Sequence, residues 1–95
     1  MHLVMTLLSL SAPTDQPARL LDRNLVTDVI RATASPADRL EHVYARSAEG
    51  RLDIALFLLA TDPQHASSTA AGIITRALTR SPTLAGWTTP PRTPP

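Results

Sequence analysis

Cysteine is absent from this 95-residue chain. The chain therefore forms no disulfide and offers no thiolate nucleophile and no sulfur ligand for a metal or an iron–sulfur cluster. Its three histidines, His2, His42 and His65, do not fall at the spacing of metal ligands, and no carboxylate cluster joins them. We accordingly expect no metal site.

Lysine is also absent, so the nine basic residues are all arginine, against eight acidic residues and a net charge of +1. This balance leaves no electrostatic footprint for nucleic acid or for an anionic membrane surface. Because arginine codons are GC-rich and lysine codons are AT-rich, the composition points to a GC-rich bacterial genome, such as an actinobacterial one.

Aromatic residues and glycines are scarce, with one Trp, one Tyr, one Phe and three Gly. The aromatic residues are too few for a platform on which bases stack. No Gly-rich phosphate loop, dinucleotide fingerprint or serine nucleophile elbow occurs. These absences favour a protein without a cofactor, and a non-catalytic role over an enzymatic one.

Long hydrophobic runs are missing too, and residues 3–12 are far too few to span a bilayer. Since no Lys or Arg precedes this run, we interpret it as a strand rather than a signal peptide, and the protein as cytoplasmic. The 43% hydrophobic content suits one domain, assigned to residues 1–89. Residues 90–95 are predicted to be a proline-rich, disordered tail.

Helix signals occur twice along the chain. A first helix is predicted to begin near Pro17, with Thr14 or Asp15 as its cap, and to end at residues 35–36. A second is predicted to begin at Pro63 and to end at residues 81–82, and its N-cap is Asp62.

A hairpin is predicted over residues 40–60, where two apolar segments flank Glu49–Gly50. If these two residues form the loop, counting outward sets the cross-strand pairs, and a different loop length would shift them. The predicted pairs include Arg46 with Asp53, Tyr44 with Ala55, Val43 with Leu56, His42 with Phe57 and Glu41 with Leu58. Residues 84–89 are predicted as a short fourth strand. The alternative is a three-stranded sheet with Trp87 over a helix end.

The element order, β-α-β-β-α-(β), resembles the ferredoxin-like fold over about residues 2–89. This resemblance implies an α+β domain whose antiparallel sheet, ordered 4-1-3-2, carries both helices on one face. It is similar in particular to the dimeric α+β barrel group, in which two sheets face each other. Some members of that group are small monooxygenases or cyclases and others have no catalytic role, so the architecture alone does not assign a function.

One face of such a sheet lies open, and here we expect it to be apolar. The predicted core side holds Leu3, Met5, Leu7, Val43, Ala45, Ile54 and Leu56. The predicted open face, interpreted as an interface, holds Val4, Thr6, Leu8, His42, Tyr44, Phe57 and Leu59. Exposed apolar surface of this kind usually marks a contact surface. A tail folded back over the face is the alternative.

Polar side chains of the hairpin share that face, namely His42, Tyr44, Arg46 and Asp53. In a catalytic interpretation, His42 is a base and Tyr44 or Arg46 stabilises an anion or enolate. In the interpretation that we favour, Arg46 and Asp53 form a cross-strand salt bridge and Tyr44 lies at an interface rim.

The sequence thus predicts a non-catalytic accessory protein that forms a homodimer or docks on a larger protein partner through its open face. Nucleic acid and membrane partners are not expected. The alternative is a small dimeric enzyme or ligand-binding protein with a pocket between the sheets. In a third hypothesis the tail, residues 90–95, is a polyproline II docking peptide.

Overall fold

The computed structural model describes residues 1–89. Its strands are β1 (His2–Ser11), β2 (Leu40–Ala48) and β3 (Arg51–Ala60), and its helices are α1 (Arg23–Thr33) and α2 (Pro63–Arg80). Short 3₁₀ turns cover Pro36–Asp38 and Pro82–Leu84. The predicted α+β class, with two helices and an antiparallel sheet, is confirmed, whereas the predicted tail lies outside the described residues.

The sheet has the order β1-β3-β2, and both neighbouring pairs are antiparallel. The predicted hairpin register is confirmed from His42, which pairs with Phe57, to Ala48, which pairs with Arg51. Beyond His42 the prediction is wrong, because a bulge lets Leu40, not Glu41, pair with Leu58.

The hairpin turn depends on Gly50, whose φ of 72° favours a residue without a Cβ. A Cβ at this position would come within 2.1 Å of the carbonyl oxygen of Pro17. Gly50 donates its N–H to the carbonyl of Arg19 at 2.8 Å and accepts the N–H of Ala12 at 3.0 Å. These contacts fasten the turn to the segment between β1 and α1.

The two helices pack on one face of the sheet and enclose a single hydrophobic core. The largest fully buried side chains are Leu10, Val26, Ile30, Leu52, Ile54, Leu56, Leu58, Ile73, Ile74 and Leu84. The buried side of α2 also includes three alanines, Ala66, Ala70 and Ala77, whose small size allows this helix to lie close to the strands.

The predicted start of α1 is wrong, because the helix begins at Arg23 instead of near Pro17. The Asp22 side chain caps it by accepting the N–H of Asn24 at 2.8 Å. The preceding residues form turns instead, in which Gln16 accepts from Arg19. Because the Arg19 carbonyl bonds to the hairpin turn, it does not start a helical ladder.

The predicted bounds of α2 are confirmed, from the Asp62 cap to Ser81. Asp62 accepts the N–H of His65 at 2.7 Å. Further along α2, Arg76 forms a 2.5 Å ion pair with Asp38 in the 3₁₀ turn after α1. This pair connects the two helical segments over the core.

The predicted fourth strand is absent from the described residues. After the Pro82–Leu84 turn, Gly86 has a φ of 83°, which interrupts extended structure, and only Thr88 bridges to Ser11. Trp87 is buried at 3% exposure. The three-stranded sheet of the alternative therefore describes residues 1–89 correctly, and Trp87 belongs to the hydrophobic core.

Candidate interaction surface: the open sheet face

The sheet face opposite the helices, called the open face here, is formed by alternate residues of the three strands. The registers place on it Leu3, Met5, Leu7, Ser9, His42, Tyr44, Arg46, Asp53, Ala55, Phe57 and Leu59. Large apolar side chains dominate one end of this face, and polar side chains gather at the end near the hairpin turn.

The predicted facing of β1 is wrong. Leu3, Met5 and Leu7, predicted to be in the core, are 59%, 53% and 69% exposed. Val4 and Leu8, which were predicted for the interface, pack against the core.

Thr6, the third β1 residue predicted for the interface, shares their side of the strand and is half-buried. The facing follows from Leu10, which is buried opposite buried Leu52, since alternate residues share a face. One sequence signal was available, because Ser9 and Ser11 mark the odd-numbered side as the solvent side.

The hairpin residues predicted for the open face lie there. Tyr44 is 53% exposed, and Phe57 and Leu59 are half-buried. The His42 ring is tilted by 53° against the Phe57 ring, with centroids 5.7 Å apart. His42 is therefore an aromatic neighbour across the strands, a geometry favourable for tilted ring pairs.

Asp53 organises the polar end of the open face. Its Oδ1 accepts a hydrogen bond from Ser9 Oγ at 2.7 Å and another from Arg51 Nε at 2.9 Å. The Ser9 hydroxyl first, and then the Arg51 guanidinium, stabilise the ionised carboxylate and lower the pKa of Asp53.

The prediction that Arg46 and Asp53 form a salt bridge is wrong about the partner of Asp53 but correct about where the two residues lie. Arg46 lies opposite Asp53 in the ladder and also favours its charged form, but the ion pair within the described residues is made by Arg51. Sequence reasoning did not identify Ser9 or Arg51, because the first depends on the β1–β3 register and the second is a neighbour two residues away on the same strand.

The candidate catalytic residues do not share one depression. Tyr44, Arg46 and Asp53 line a hollow of about 350 Å³, together with Leu7 and Ser9. His42 does not line that hollow; it lines two depressions nearer α1, and Tyr44 also lines one of them. Within one copy of the chain, this hollow therefore holds three of the four candidate catalytic residues.

Neither a metal cluster nor a membrane span is found in the part of the chain that the structure describes. Residues 1–89 bring together no three His, Asp or Glu side chains that could hold a metal ion. Across the same residues, neither helix has the length and apolar character needed to cross a bilayer.

Comparison with known proteins adds no relative. No protein-family model, no curated protein and no solved structure matches this chain.

Proposed function

We propose that this protein is a small, non-catalytic interaction module that self-associates by packing its open face against the open face of a second copy. The observation that carries the proposal is the exposure of Leu3, Met5, Leu7 and Tyr44, each more than half exposed on one side of one sheet. Exposed large side chains scattered singly are normal, whereas a contiguous group of them marks a contact surface.

The hydrophobic effect favours covering this surface. Burying one large apolar side chain contributes roughly 1.5–3 kcal/mol. Leu3, Met5 and Leu7 follow one another along β1, and Tyr44 lies on the far side of β3. A second sheet stacked about 10 Å away would cover all of them at once.

The polar end of the open face supplies orientation. Arg46, Arg51 and Asp53 lie near the hairpin turn, where charges at the rim of an apolar contact disfavour misaligned packing. Tyr44 lies between the polar and the apolar ends, and its ring and hydroxyl suit such a boundary.

The ferredoxin-like interpretation supports the same proposal. The β1-α1-β2-β3-α2 order and the β1-β3-β2 sheet resemble that fold without its fourth strand. In the similar dimeric α+β barrel group, two open sheet faces pack together. A larger protein that presents an apolar surface is the other partner class that this face suits.

A small dimeric enzyme or ligand-binding protein is the second candidate function. It is favoured by the hollow of about 350 Å³ that Tyr44, Arg46 and Asp53 line, because a second sheet would close it. This candidate requires an enclosed cavity at the hairpin end of the assembly. A crystal structure in which side chains fill that space would contradict it.

The test is the mass in solution, measured by light scattering over a concentration series. We expect the protein to associate, and Tyr44→Lys to weaken association at least about tenfold by placing a charge in the contact. Leu20→Lys is the matched control, because Leu20 is 62% exposed but lies in the segment before α1 and on none of the strands that form the open face.

Two results would contradict the proposal. One is a monomer at every concentration. The other is equal association of Tyr44→Lys and Leu20→Lys, which would exclude the open face as the contact.

A further inference from the structure

The outer edge of β1 is a second surface, distinct from the open face. In an antiparallel strand the N–H and C=O of one residue point to the same side, and successive residues alternate. Ser11 donates its N–H to Thr88 at 2.7 Å and accepts the Thr88 N–H at 3.0 Å. Its backbone therefore points away from β3.

Because the β1–β3 register has no shift, the same alternation of backbone direction continues along β1. The backbone groups of Leu3, Met5, Leu7 and Ser9 point outward like those of Ser11, whereas even-numbered residues bond to β3. Ala12, which is even-numbered, agrees, because its N–H bonds to Gly50 at the hairpin side. Within residues 1–89, the four outward residues have no backbone partner.

The two edges of the sheet are protected to different degrees. Exposed edges invite pairing with another strand, and proteins protect them with charges, prolines and bulges. The β2 edge carries Glu41, His42 and Arg46 and a bulge after Leu40. The segment from Leu3 to Ser11 contains no charged residue, no proline and no register shift.

We propose that β1 pairs with β1 of a second copy, antiparallel, so that two sheets join into one continuous sheet. The occupant of this edge is a second copy because β1 is complementary to itself. A two-fold axis at Thr6 sets Met5 opposite Leu7 of the partner subunit and Leu3 opposite Ser9 of the partner subunit. All four outward residues then exchange hydrogen bonds, and the apolar side chains stay on one face.

The chain's own residues 90–95 are poorly suited to this edge. Four of the six are prolines, which have no N–H to donate to a ladder. Thr88 also marks where the free edge ends, because its backbone already pairs with that of Ser11. A copy of β1 has no proline from Leu3 to Ser11, so every residue there can donate its N–H.

The experiment compares Met5→Pro with Met5→Ala in the Tyr44→Lys background, by light scattering. Proline removes an outward N–H that no described residue accepts, and both substitutions shorten the side chain. We expect the Tyr44→Lys protein to be an edge-paired dimer. Adding Met5→Ala should leave this dimer intact, whereas adding Met5→Pro should halve the measured mass. Equal masses for the two Met5 variants would overturn the edge pairing.

The contribution of the open face is tested separately, by comparing the mass of the wild-type protein with the mass of the variants. If both contacts form, the wild type is a tetramer and Tyr44→Lys halves its mass. If Tyr44→Lys leaves the mass unchanged while Met5→Pro halves it, the open-face proposal fails and the edge pairing stands. A monomeric Tyr44→Lys protein overturns the edge pairing instead.

Amide hydrogen exchange on the wild type gives a test that needs no proline. We expect slow exchange for the Leu3, Met5 and Leu7 amides. The outward amides of Val43 and Ala45 on the β2 edge are the internal control and should exchange faster. Equal rates for the two edges would overturn the proposal.

The absence of cysteine allows the register itself to be tested. At the two-fold axis, the Thr6 residues of the two copies form a non-hydrogen-bonded pair, whose Cβ atoms are close enough for a disulfide. Thr6→Cys should therefore cross-link two copies under mild oxidation, whereas Leu8→Cys, offset from the axis, should not. Equal cross-linking of the two variants would overturn the Thr6-centred register.

Discussion

Asp53 shows how one carboxylate connects the three strands at the residue scale. It lies on β3, accepts a hydrogen bond from Ser9 on β1 and lies opposite Arg46 on β2. Both bonds that it accepts favour the ionised carboxylate, so its pKa in the folded protein lies below the ordinary value of 3.8. In the unfolded chain these donors are lost, so the charged form favours folding.

A pH dependence follows from the lowered pKa of Asp53. Its contribution to stability is present above the unfolded pKa and is lost as the pH falls through the folded pKa. We expect the difference in the free energy of unfolding between about pH 7 and about pH 2.5 to be smaller in Asp53→Asn than in the wild type. The effect is modest because the Asp53 side chain is 44% exposed.

Urea unfolding at the two pH values and one protein concentration measures this difference. Ser9→Ala should reduce it in the same direction, because Ser9 is the largest cause of the lowered pKa. If Asp53→Asn keeps the full pH dependence of the wild type, Asp53 is not its source.

At the scale of elements, the two helices show what an N-cap needs besides the right side chain. Asp62 precedes Pro63 in the sequence and caps α2 as expected. Asp15 precedes Pro17 in a similar way but caps no helix, because the following residues turn to hold the hairpin. Asp22 caps α1 instead, just before a stripe in which Val26 and Ile30 are buried.

The helix caps therefore predict a contrast between two aspartates. Asp22→Ala should lower the free energy of unfolding by about 1 kcal/mol, because it removes the acceptor of the Asn24 N–H. Asp15→Ala, outside the helix, should change it by less than about 0.5 kcal/mol. Chemical denaturation of both variants measures the contrast. A larger loss of unfolding free energy in Asp15→Ala than in Asp22→Ala would indicate that α1 starts near Pro17, as the sequence predicts.

At the scale of the whole molecule, the residues after α2 close the fold. They return along the sheet so that Leu84 and Trp87 are buried in the common core and Thr88 bridges to Ser11. Gly86 passes so close to Pro13 that a Cβ would approach its ring at 2.8 Å. This contact packs the segment after α2 against the segment after β1.

Trp87 should therefore be essential to stability. Truncation by Trp87→Ala is expected to cost about 3–5 kcal/mol, a large share of the roughly 5–15 kcal/mol typical of a domain. Trp87→Phe should cost less, because the buried indole Nε1 has no hydrogen-bond partner among the described residues and none is lost. Urea unfolding followed by far-ultraviolet circular dichroism measures both, and equal losses for the two variants would contradict this expectation.

The features that the sequence alone determined are those set by short-range signals. The bounds of α2 follow from Asp62–Pro63 and Ser81–Pro82, and the hairpin register follows from Glu49–Gly50. In each, the backbone preference of a few consecutive residues is strong enough to be recognised from the local sequence. The same reasoning identified the hairpin residues of the open face.

Tertiary structure decided the features that the sequence predicted wrongly. The facing of β1 depends on which side of an apolar strand packs against the core, and the start of α1 depends on the Arg19 carbonyl bonding to Gly50. The partner of Asp53 depends on β1 lying beside β3. These features join residues far apart in the chain, so they are set by the packing of the whole domain and leave little trace in any local pattern.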